Sequence, residues 1–304
     1  MRDPRDVTLA AQLACLLEVS TTKPGNVHPQ ADFADTRYED FVASALAIGD
    51  AMGQAHRMGV GRIVWGAVRD TRRWVGVNTN LGLVLLLAPL AKAAVTPGGG
   101  GLRTRLRRVV QGLTVQDARD VYRAIRLAKP GGLGTVDRWD VRETGVGVNL
   151  LTAMRAAADR DTVAREYANG FAVIFDVGLP CLQRSFDATR DLRAAILQTY
   201  LTILATVPDS LIARKVGPRQ ATAVSREAAR ILEAGGTENA TGRRRVVAFD
   251  RKLRRQGNLL NPGTTADLTA ASLFVALLQN GILHFLRTLK SAPRLSHPDC
   301  SRSP

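Results

Sequence analysis

The sequence has few cysteines and few aromatic residues. Phe, Trp and Tyr together make up 5% of its 304 residues, and its three cysteines, Cys15, Cys181 and Cys300, lie far apart. An odd number of widely separated cysteines indicates neither a disulfide framework nor a zinc site. This scarcity is typical of proteins in a reducing compartment, so we expect a cytoplasmic protein.

The sequence also lacks the long apolar runs of a membrane protein. Its most apolar stretch, residues 81–90, is far shorter than the roughly 20 residues that a membrane-spanning helix needs. The amino terminus is charged and has no apolar core of the kind found in signal peptides. We therefore expect no association with a membrane.

Acidic residues are outnumbered by basic ones. The chain has 42 Lys and Arg against 27 Asp and Glu, which gives a formal net charge of +15. Such an excess favours anionic partners, which include nucleic acid, acidic lipid and nucleotide substrates. The hydrophobic fraction of 45% and the charged fraction of 23% are those of an ordinary globular protein. Composition alone does not choose among the partners.

Apolar residues recur at the spacing of α-helices, and neither an alternating strand pattern nor an internal repeat is visible. We predict an all-α fold, with a single large multi-helix domain over residues 1–290 and a disordered tail over 291–304. The predicted helices cover residues 7–18, 38–52, 59–75, 114–128, 146–158, 161–175, 192–207, 209–215, 221–232 and 243–255, and residues 261–267 introduce a last helix that runs to about 289.

Residues 83–88 read Leu-Val-Leu-Leu-Leu-Ala. A helix that is apolar on all sides must be buried, so this stretch predicts a central core helix. A short buried strand would give the same pattern.

Four clusters of polar residues interrupt the apolar pattern, each at the end of a predicted helix. The clusters are residues 23–28 with Asp35, residues 78–80, Asp209 with Arg214 and Lys215, and residues 264–267. Helix amino termini present free N–H groups and a partial positive charge. Several converging termini would therefore hold phosphates or a bound metal.

Each cluster also has a plain structural explanation. Lys23-Pro24-Gly25 could be only a helix stop, because Pro24 pushes Lys23 out of helical geometry and Gly25 can take φ angles closed to other residues. Residues 78–80 and Asp209 are natural helix caps. The arginine-rich stretches 103–108 and 243–245 lack interleaved aromatics and favour a solvated face over nucleic-acid binding.

Taken in order, the clusters resemble the signatures of the triphosphoribosyl-dephospho-CoA synthase family. The matching segments are Glu18-Val19-Ser20-Thr21-Thr22-Lys23-Pro24-Gly25-Asn26-Val27-His28, Asn78-Thr79-Asn80-Leu81-Gly82, Pro208-Asp209-Ser210-Leu211-Ile212-Ala213-Arg214-Lys215 and Asn261-Pro262-Gly263-Thr264-Thr265-Ala266-Asp267-Leu268. The resemblance covers roughly residues 7–289. It implies an all-helical enzyme that joins ATP to 3'-dephospho-CoA and releases adenine, forming a prosthetic-group precursor.

The resemblance and the expected chemistry imply roles for the cluster residues. Phosphate contacts are expected from three basic side chains, Lys23, Arg214 and Lys215, and from backbone amides at Gly25 and Gly263. Asp209 and Asp267 are candidates to coordinate Mg²⁺, the expected cofactor, or to stabilise a cationic sugar, and Asp35 is the candidate base. The other candidates would orient ribose, base or phosphate: Asn26, His28, Asn78, Thr79, Asn80, Thr264 and Thr265.

The sequence departs from the family pattern in two places, which leaves other functions open. Residues 31–35 read Ala-Asp-Phe-Ala-Asp instead of a Gly-x-His-x-Asp segment, and Thr264-Thr265 stands in place of Gly-Ser. One alternative is ribosyl or phosphoribosyl transfer to another acceptor, such as a pterin-type precursor of a one-carbon cofactor. The other is a basic helical protein that binds nucleic acid. A homodimer also stays open.

Overall fold

The computed structural model describes residues 1–132, 139–142 and 145–281. Within these ranges the chain forms helices and two isolated β-bridges, but no β-strand. The α-helices are α1 (Pro4–Val19), α2 (Tyr38–Ala47), α3 (Gly49–Gly53), α4 (Val60–Trp74), α5 (Leu81–Val95), α6 (Leu102–Gln111), α7 (Val115–Ala128), α8 (Leu150–Ala157), α9 (Thr162–Asn169), α10 (Leu179–Thr189), α11 (Leu192–Thr206), α12 (Ser210–Val216), α13 (Pro218–Glu233), α14 (Ala240–Arg254) and α15 (Gly263–Asn280). The predicted all-α fold is confirmed.

Two helices are buried along almost their whole length. In α5, 13 of 15 residues are buried, and α15 buries 13 of 18. The two helices pack against each other, and α15 also packs against α1 and α11. The predicted central apolar helix is therefore α5, and it continues beyond Pro89 to Val95.

The apolar interior has two parts that share α11. The larger cluster surrounds α5 and α15, and the smaller one lies between α11, α13 and α14. On α11, Ile196 and Ile203 belong to the larger cluster, whereas Leu201 and Leu204 belong to the smaller one. Because α11 is apolar on both faces, it joins the two parts into one domain.

Several predicted boundaries were wrong for local reasons. The predicted helix 38–52 breaks at Ile48 into α2 and α3, and the predicted helix 161–175 ends at Gly170, which has φ +75°. A short π-helix, Val173–Gly178, follows. Its first amides are bound by the carboxylate of Glu166, which accepts hydrogen bonds from Val173 N at 3.0 Å and Ile174 N at 3.1 Å.

Two helices, α6 and α10, were not predicted. In α6 the buried residues Leu102, Leu106 and Val110 recur every fourth position, but they lie among arginines that obscure the apolar stripe. The predicted tail over 291–304, and the end of the last predicted helix, lie outside the described residues.

No single helix in the described ranges is long and apolar enough to cross a membrane. By length and hydropathy alone, α11 and α12 would pass such a criterion only as a pair, with a bend of 55° between them.

Candidate active site

A cavity of about 1250 Å³ lies where the amino-terminal ends of α5, α9, α12 and α15 meet. Ser210 joins three of these ends: its Oγ accepts a hydrogen bond from Thr162 N at 3.2 Å and lies 3.1 Å from Thr264 Oγ1. Ligand pockets commonly measure about 300–1,000 Å³, so this cavity has room for a large ligand or for two. The positive ends of several helices give it an environment suited to anions.

Asp209 connects two of the helix ends and does not line the cavity. Its Oδ1 accepts hydrogen bonds from Leu211 N at 2.9 Å and Ile212 N at 3.1 Å, so it caps α12. Its Oδ2 accepts from Thr265 N at 2.7 Å and Thr265 Oγ1 at 2.8 Å, which ties α12 to α15. Burial raises the pKa of Asp209, and these donors oppose the rise. With both oxygens occupied, Asp209 has no oxygen to offer a metal ion or a substrate.

Asp267 lies on α15 two residues beyond Thr265, and its environment is the opposite of that of Asp209. It lines the cavity, and no described residue donates a hydrogen bond to its carboxylate or forms an ion pair with it. Burial raises the pKa of Asp267 well above its usual range; the negative charges of Glu18, Asp209 and Asp161 add to the rise, and Arg214 opposes it. This carboxylate is available to a ligand.

Gly82, in the first turn of α5, leaves the space that the Asp267 carboxylate occupies. A Cβ atom at this position would lie 2.1 Å from Asp267 Oδ2 and 3.0 Å from its Cγ. Only a glycine therefore allows α5 and α15 to approach each other with the carboxylate between them.

Glu18, at the end of α1, is a second carboxylate in the cavity wall that the sequence prediction missed. Its Oε1 lies 3.0 Å from Lys23 Nζ, and Lys23 itself is fully buried. Lys23 Nζ also donates hydrogen bonds to the backbone oxygens of Glu18 at 2.5 Å and Thr21 at 2.9 Å. Burial raises the pKa of Glu18 and lowers that of Lys23, and the ion pair opposes both shifts.

The Lys-Pro-Gly bend packs against α14 rather than around a ligand. Gly25 has φ +72°, and its N–H donates to Asp250 Oδ1 at 2.8 Å. A Cβ atom on Gly25 would lie 3.0 Å from Leu253 Cβ and 3.1 Å from Pro262 Cδ, so a larger residue would push the bend off the helix. Asn26, the next residue, does line the cavity, and its Nδ2 donates to Tyr200 Oη at 2.8 Å.

His28 is buried away from the cavity. Its Nδ1 accepts a hydrogen bond from Gln30 N at 3.3 Å, and its Nε2 has no hydrogen-bond partner among the described residues. Burial is the main cause that lowers the pKa of His28.

The residues before α5 line the cavity and also hold the start of that helix. Asn78 Oδ1 accepts from Leu81 N at 3.2 Å, Thr79 Oγ1 lies 2.5 Å from Ser44 Oγ, and Asn80 Nδ2 donates to Thr71 Oγ1 at 3.1 Å. The capping interpretation accounts for these contacts, while the Asn80 Oδ1 and Asn78 Nδ2 atoms are left for other partners.

Two basic side chains of α12 face the cavity, each held by a neighbour. Arg214 forms an ion pair with Asp161, the cap of α9. Lys215 Nζ donates to Asn258 O at 2.8 Å, and Asn258 Nδ2 donates to Asp35 Oδ2 at 3.2 Å. Burial lowers the pKa of Lys215, and Asp35 opposes the shift. These contacts place Asp35 at the exposed rim of the cavity.

Asn261, just before α15, contributes a polar atom with no partner. Its Oδ1 is buried and has no hydrogen-bond partner among the described residues, although the residue lines the cavity. A buried polar atom without a partner is costly, so this oxygen is suited to accept a hydrogen bond from a ligand or to bind a cation.

The opposite part of the cavity is apolar. We call it the apolar wing; its lining side chains come from α7, α8 and the segment between them: Val121, Ile125, Trp139, Val141, Leu150, Ala153 and Met154. The Tyr122 hydroxyl, which also lies there, already donates to Trp139 O at 2.7 Å. The cavity thus has a polar end and an apolar wing.

The structure brings together most of the predicted site residues. Those that line the cavity are Asn26, Asp35, Asn78, Thr79, Asn80, Arg214, Lys215, Gly263, Thr264 and Asp267. The predicted residues that it places outside the lining are Lys23, Gly25, His28, Asp209 and Thr265. Lys23, Gly25, Asp209 and Thr265 contact other protein groups there, and His28 contacts its own loop.

The oxygen atoms available to the expected Mg²⁺ are few. Nowhere in the described ranges do three or more His, Cys, Asp or Glu side chains form a group that could hold a metal ion. Mg²⁺, however, is usually bound by one or two carboxylates together with substrate phosphates. Asp267 and the unpartnered Asn261 oxygen fit that mode, whereas Asp209 does not.

Comparison with known proteins gave concordant results. The CitG family model, described as ATP:dephospho-CoA triphosphoribosyl transferase, matches residues 4–284. A protein of Pseudomonas fluorescens (strain Pf0-1), named "Probable 2-(5''-triphosphoribosyl)-3'-dephosphocoenzyme-A synthase", is 27% identical over 92% of this chain and 96% of its own length. A relative of the same name from Pseudomonas putida is 36% identical over 37% of this chain and 40% of its own.

A solved structure has a similar fold. It is from Archaeoglobus fulgidus and is named for triphosphoribosyl-dephospho-CoA synthase; it is 27% identical to this chain and superposes with a TM-score of 0.61. The match covers 78% of this chain and 98% of that one.

Proposed function

Because the chain belongs to the ATP:dephospho-CoA triphosphoribosyl transferase family, we propose that it transfers the triphosphoribosyl group of ATP to the ribose 2'-hydroxyl of 3'-dephospho-CoA and releases adenine. The observation that carries the proposal is Asp267, a carboxylate with no hydrogen-bond or ion-pair partner among the described residues, in the wall of a cavity formed by helix amino termini. Such a cavity combines a site for phosphates with a negative group beside them.

The reaction exchanges two bonds at C1 of the ATP ribose. The bond to adenine breaks, and its electron pair leaves with the base, which takes up a proton. A bond forms to the oxygen of the acceptor hydroxyl, whose proton passes to a base. As in glycoside cleavage, positive charge develops at the sugar ring in the transition state. A nearby carboxylate lowers the barrier by stabilising this charge.

Asp267 is our candidate for that carboxylate. It faces the cavity, and Gly82 keeps the space around it clear of side-chain atoms. Water exclusion strengthens its interaction with a cationic sugar, because electrostatic effects grow as the local dielectric falls.

The triphosphate is proposed to lie against the start of α15 and the two basic residues of α12. At the start of α15, Gly263 N donates to Asn261 O and Thr265 N donates to Asp209 Oδ2, which among the described residues leaves Thr264 N for a phosphate at the polar end of the cavity. Arg214 and Lys215 add positive charge on the same side. Backbone amides at a helix start together with Arg and Lys are a common phosphate site.

Mg²⁺ would be held by Asp267 and the Asn261 oxygen together with the phosphates. When bound, the ion would neutralise phosphate charge. Asp35, at the rim beside Asn258, remains the candidate base for the acceptor hydroxyl.

We propose that the apolar wing takes the neutral pantetheine arm of the acceptor. ATP is polyanionic and has no such arm, whereas 3'-dephospho-CoA has one. Apolar side chains that bury such a chain gain about 25 cal/mol for each Å² removed from water. Met154→Trp, which fills the wing, should therefore raise the KM for dephospho-CoA at least about tenfold and leave the KM for ATP within about twofold, as steady-state adenine release would show. Equal changes in both KM values would contradict this placement.

The function is tested by incubating the protein with Mg-ATP, with and without 3'-dephospho-CoA, and following adenine and the mass of the adduct. Adenine release that depends on dephospho-CoA, with a matching adduct, is the expected result. Release only with another acceptor, such as a pterin-type precursor, would support the other transfer reaction. No turnover together with tight, salt-dependent DNA binding would contradict both transfer reactions.

A further inference from the structure

We infer that Lys23 is a positioning residue and not a phosphate ligand: it holds the carboxylate of Glu18 against the cavity, where Glu18 stabilises the reacting sugar together with Asp267. The inference rests on the proposed function for the nature of the substrate. It assigns Glu18 a role in the reaction and changes the role expected of Lys23.

The contacts of Lys23 leave its ammonium group no room for a substrate. Nζ donates hydrogen bonds to the backbone oxygens of Glu18 and Thr21 and lies 3.0 Å from Glu18 Oε1. Two of its three N–H donors bind backbone oxygens, and the Glu18 carboxylate lies within ion-pair distance of the group. The side chain is 1% exposed, and the residue does not line the cavity.

Glu18, in contrast, is both paired and accessible from the cavity. Its side chain is 10% exposed and belongs to the cavity wall. Its charge influences Asp267 and Cys15, which also line the cavity, so these groups lie at the same end. A carboxylate at this depth needs a fixed positive partner, because an isolated buried charge is strongly unfavourable. Lys23 supplies that partner from behind.

Local sequence explains how the pair forms. Glu18 lies in the last turn of α1, and Pro24 and Gly25 turn the chain back directly after Lys23. The turn places Lys23 under the end of α1, where the backbone oxygens of Glu18 and Thr21 accept hydrogen bonds from its ammonium group. The Lys-Pro-Gly segment thus orients a carboxylate of the preceding helix.

The test is a double-mutant cycle on adenine release. Glu18→Gln and Lys23→Met should each lower kcat about 10²-fold, with the KM for ATP within about twofold of wild type. Because both substitutions disrupt the same Glu18–Lys23 pair, the double variant should be no more than about threefold slower than either single variant. Lys92→Met is the matched control, since Lys92 also donates to a backbone oxygen, that of Ala55, but forms no ion pair with a carboxylate among the described residues.

Two results would overturn the inference while leaving the proposed function intact. One is a rise in the KM for ATP in Lys23→Met with losses that multiply in the double variant, as expected of a direct phosphate ligand. The other needs no variant: rapid acetylation of Lys23 in the wild-type protein, blocked by ATP, would show that its amine faces the substrate. We expect Lys23 to stay unlabelled with and without ATP. Failure of the proposed function itself would appear earlier, as absence of turnover by the wild-type protein.

Discussion

Asp209 and Asp267 belong to two motifs that look alike in the sequence, yet the structure gives them opposite environments. Asp209 caps α12 and accepts four hydrogen bonds, two from the first turn of its own helix and two from Thr265. Asp267 accepts none from the described residues and faces the cavity. The first carboxylate holds the helix ends in place, and the second is left available between them.

The difference shows that similar polar motifs can supply either a structural carboxylate or one that is available to a ligand. Four hydrogen bonds can offset the burial of a carboxylate, so Asp209 can be a stable part of the framework. Asp267 has only unfavourable burial and like charges around it, apart from Arg214. A protein keeps such a group where a ligand compensates for the cost. The predictions below separate the two kinds of carboxylate.

The largest effect is expected from Asp267→Asn. Loss of the negative charge should lower kcat for adenine release about 10³-fold, equivalent to about 4 kcal/mol of transition-state stabilisation. The helical circular-dichroism signal should be unchanged and the midpoint of unfolding should not fall, because this carboxylate accepts no hydrogen bond from the described residues. Asp187→Asn, on the exposed side of α10, serves as the control. Retention of full activity would remove Asp267 from the mechanism.

A third carboxylate, that of Glu166, accepts fewer hydrogen bonds than Asp209 but more than Asp267, and we expect it to make the stability depend on pH. It is fully buried, accepts only two backbone hydrogen bonds, and burial raises its pKa to about 7. Because the folded-state pKa exceeds the unfolded value of about 4.5, the folded state holds the proton more tightly. Its contribution to stability is therefore present below about pH 4.5 and is lost as pH rises to 7.

The size of this loss is about 3 kcal/mol, from the shift at 1.36 kcal/mol for each pKa unit. Urea unfolding of wild type and Glu166→Gln between pH 4 and 8 measures it: the difference between the two curves should change by that amount. Glu39→Gln, at an exposed position in α2, should run parallel to wild type. A pH-independent difference for Glu166→Gln would contradict the expectation.

Asp209→Asn should lower the stability of the protein more than its activity. The new amide group would face Thr265 N, so this buried N–H loses its acceptor, and the Thr265 hydroxyl must accept a hydrogen bond where it now donates one. We expect a fall of about 2 kcal/mol in the free energy of unfolding. Asp191→Asn is a matched control, because Asp191 caps α11 through two backbone amides but ties no second helix, and Asn caps equally well. A loss of activity as large as that of Asp267→Asn, without a fall in stability, would place Asp209 at the substrate instead.

The smallest effect is expected from Gly82→Ala, which displaces Asp267 without changing it. The added methyl group would lie 2.1 Å from Oδ2, so the carboxylate must move. Adenine release should fall about tenfold, or about 1.4 kcal/mol, and the free energy of unfolding should fall by about 1 kcal/mol, because the steric clash outweighs the gain in helix propensity. Gly66→Ala in α4 would meet only Ala51 Cβ at 3.4 Å and is the control. Unchanged activity in Gly82→Ala would mean that the exact position of the carboxylate has no effect.

The sequence predicted those features that depend on neighbours along the chain. The apolar run of α5 indicates a buried helix because no face of it is polar, and the Thr114 cap with Asp117 three residues later marks the start of α7. The spacing of Leu102, Leu106 and Val110 also fits a helix, but the arginines between them obscured the apolar stripe of α6.

The environments of the site residues were not predicted, because they depend on contacts between residues that lie far apart in the sequence. The sequence does not show which aspartate is fully hydrogen-bonded and which is available to a ligand, because the donors to Asp209 include Thr265, 56 positions away. The sequence likewise places Lys23 close to Glu18 but does not tell which of the two faces the cavity. That is decided by the fold around the end of α1, where the carbonyl oxygens draw the lysine inward.

The difference between the two aspartates is tested most directly by a crystal structure of the protein with Mg²⁺ and an unreactive ATP analogue. The expected result is a ligand or metal atom in direct contact with the Asp267 carboxylate, with Asp209 still accepting hydrogen bonds from Thr265. A structure in which Asp209 releases Thr265 to bind the metal, while Asp267 contacts neither metal nor nucleotide, would contradict the account.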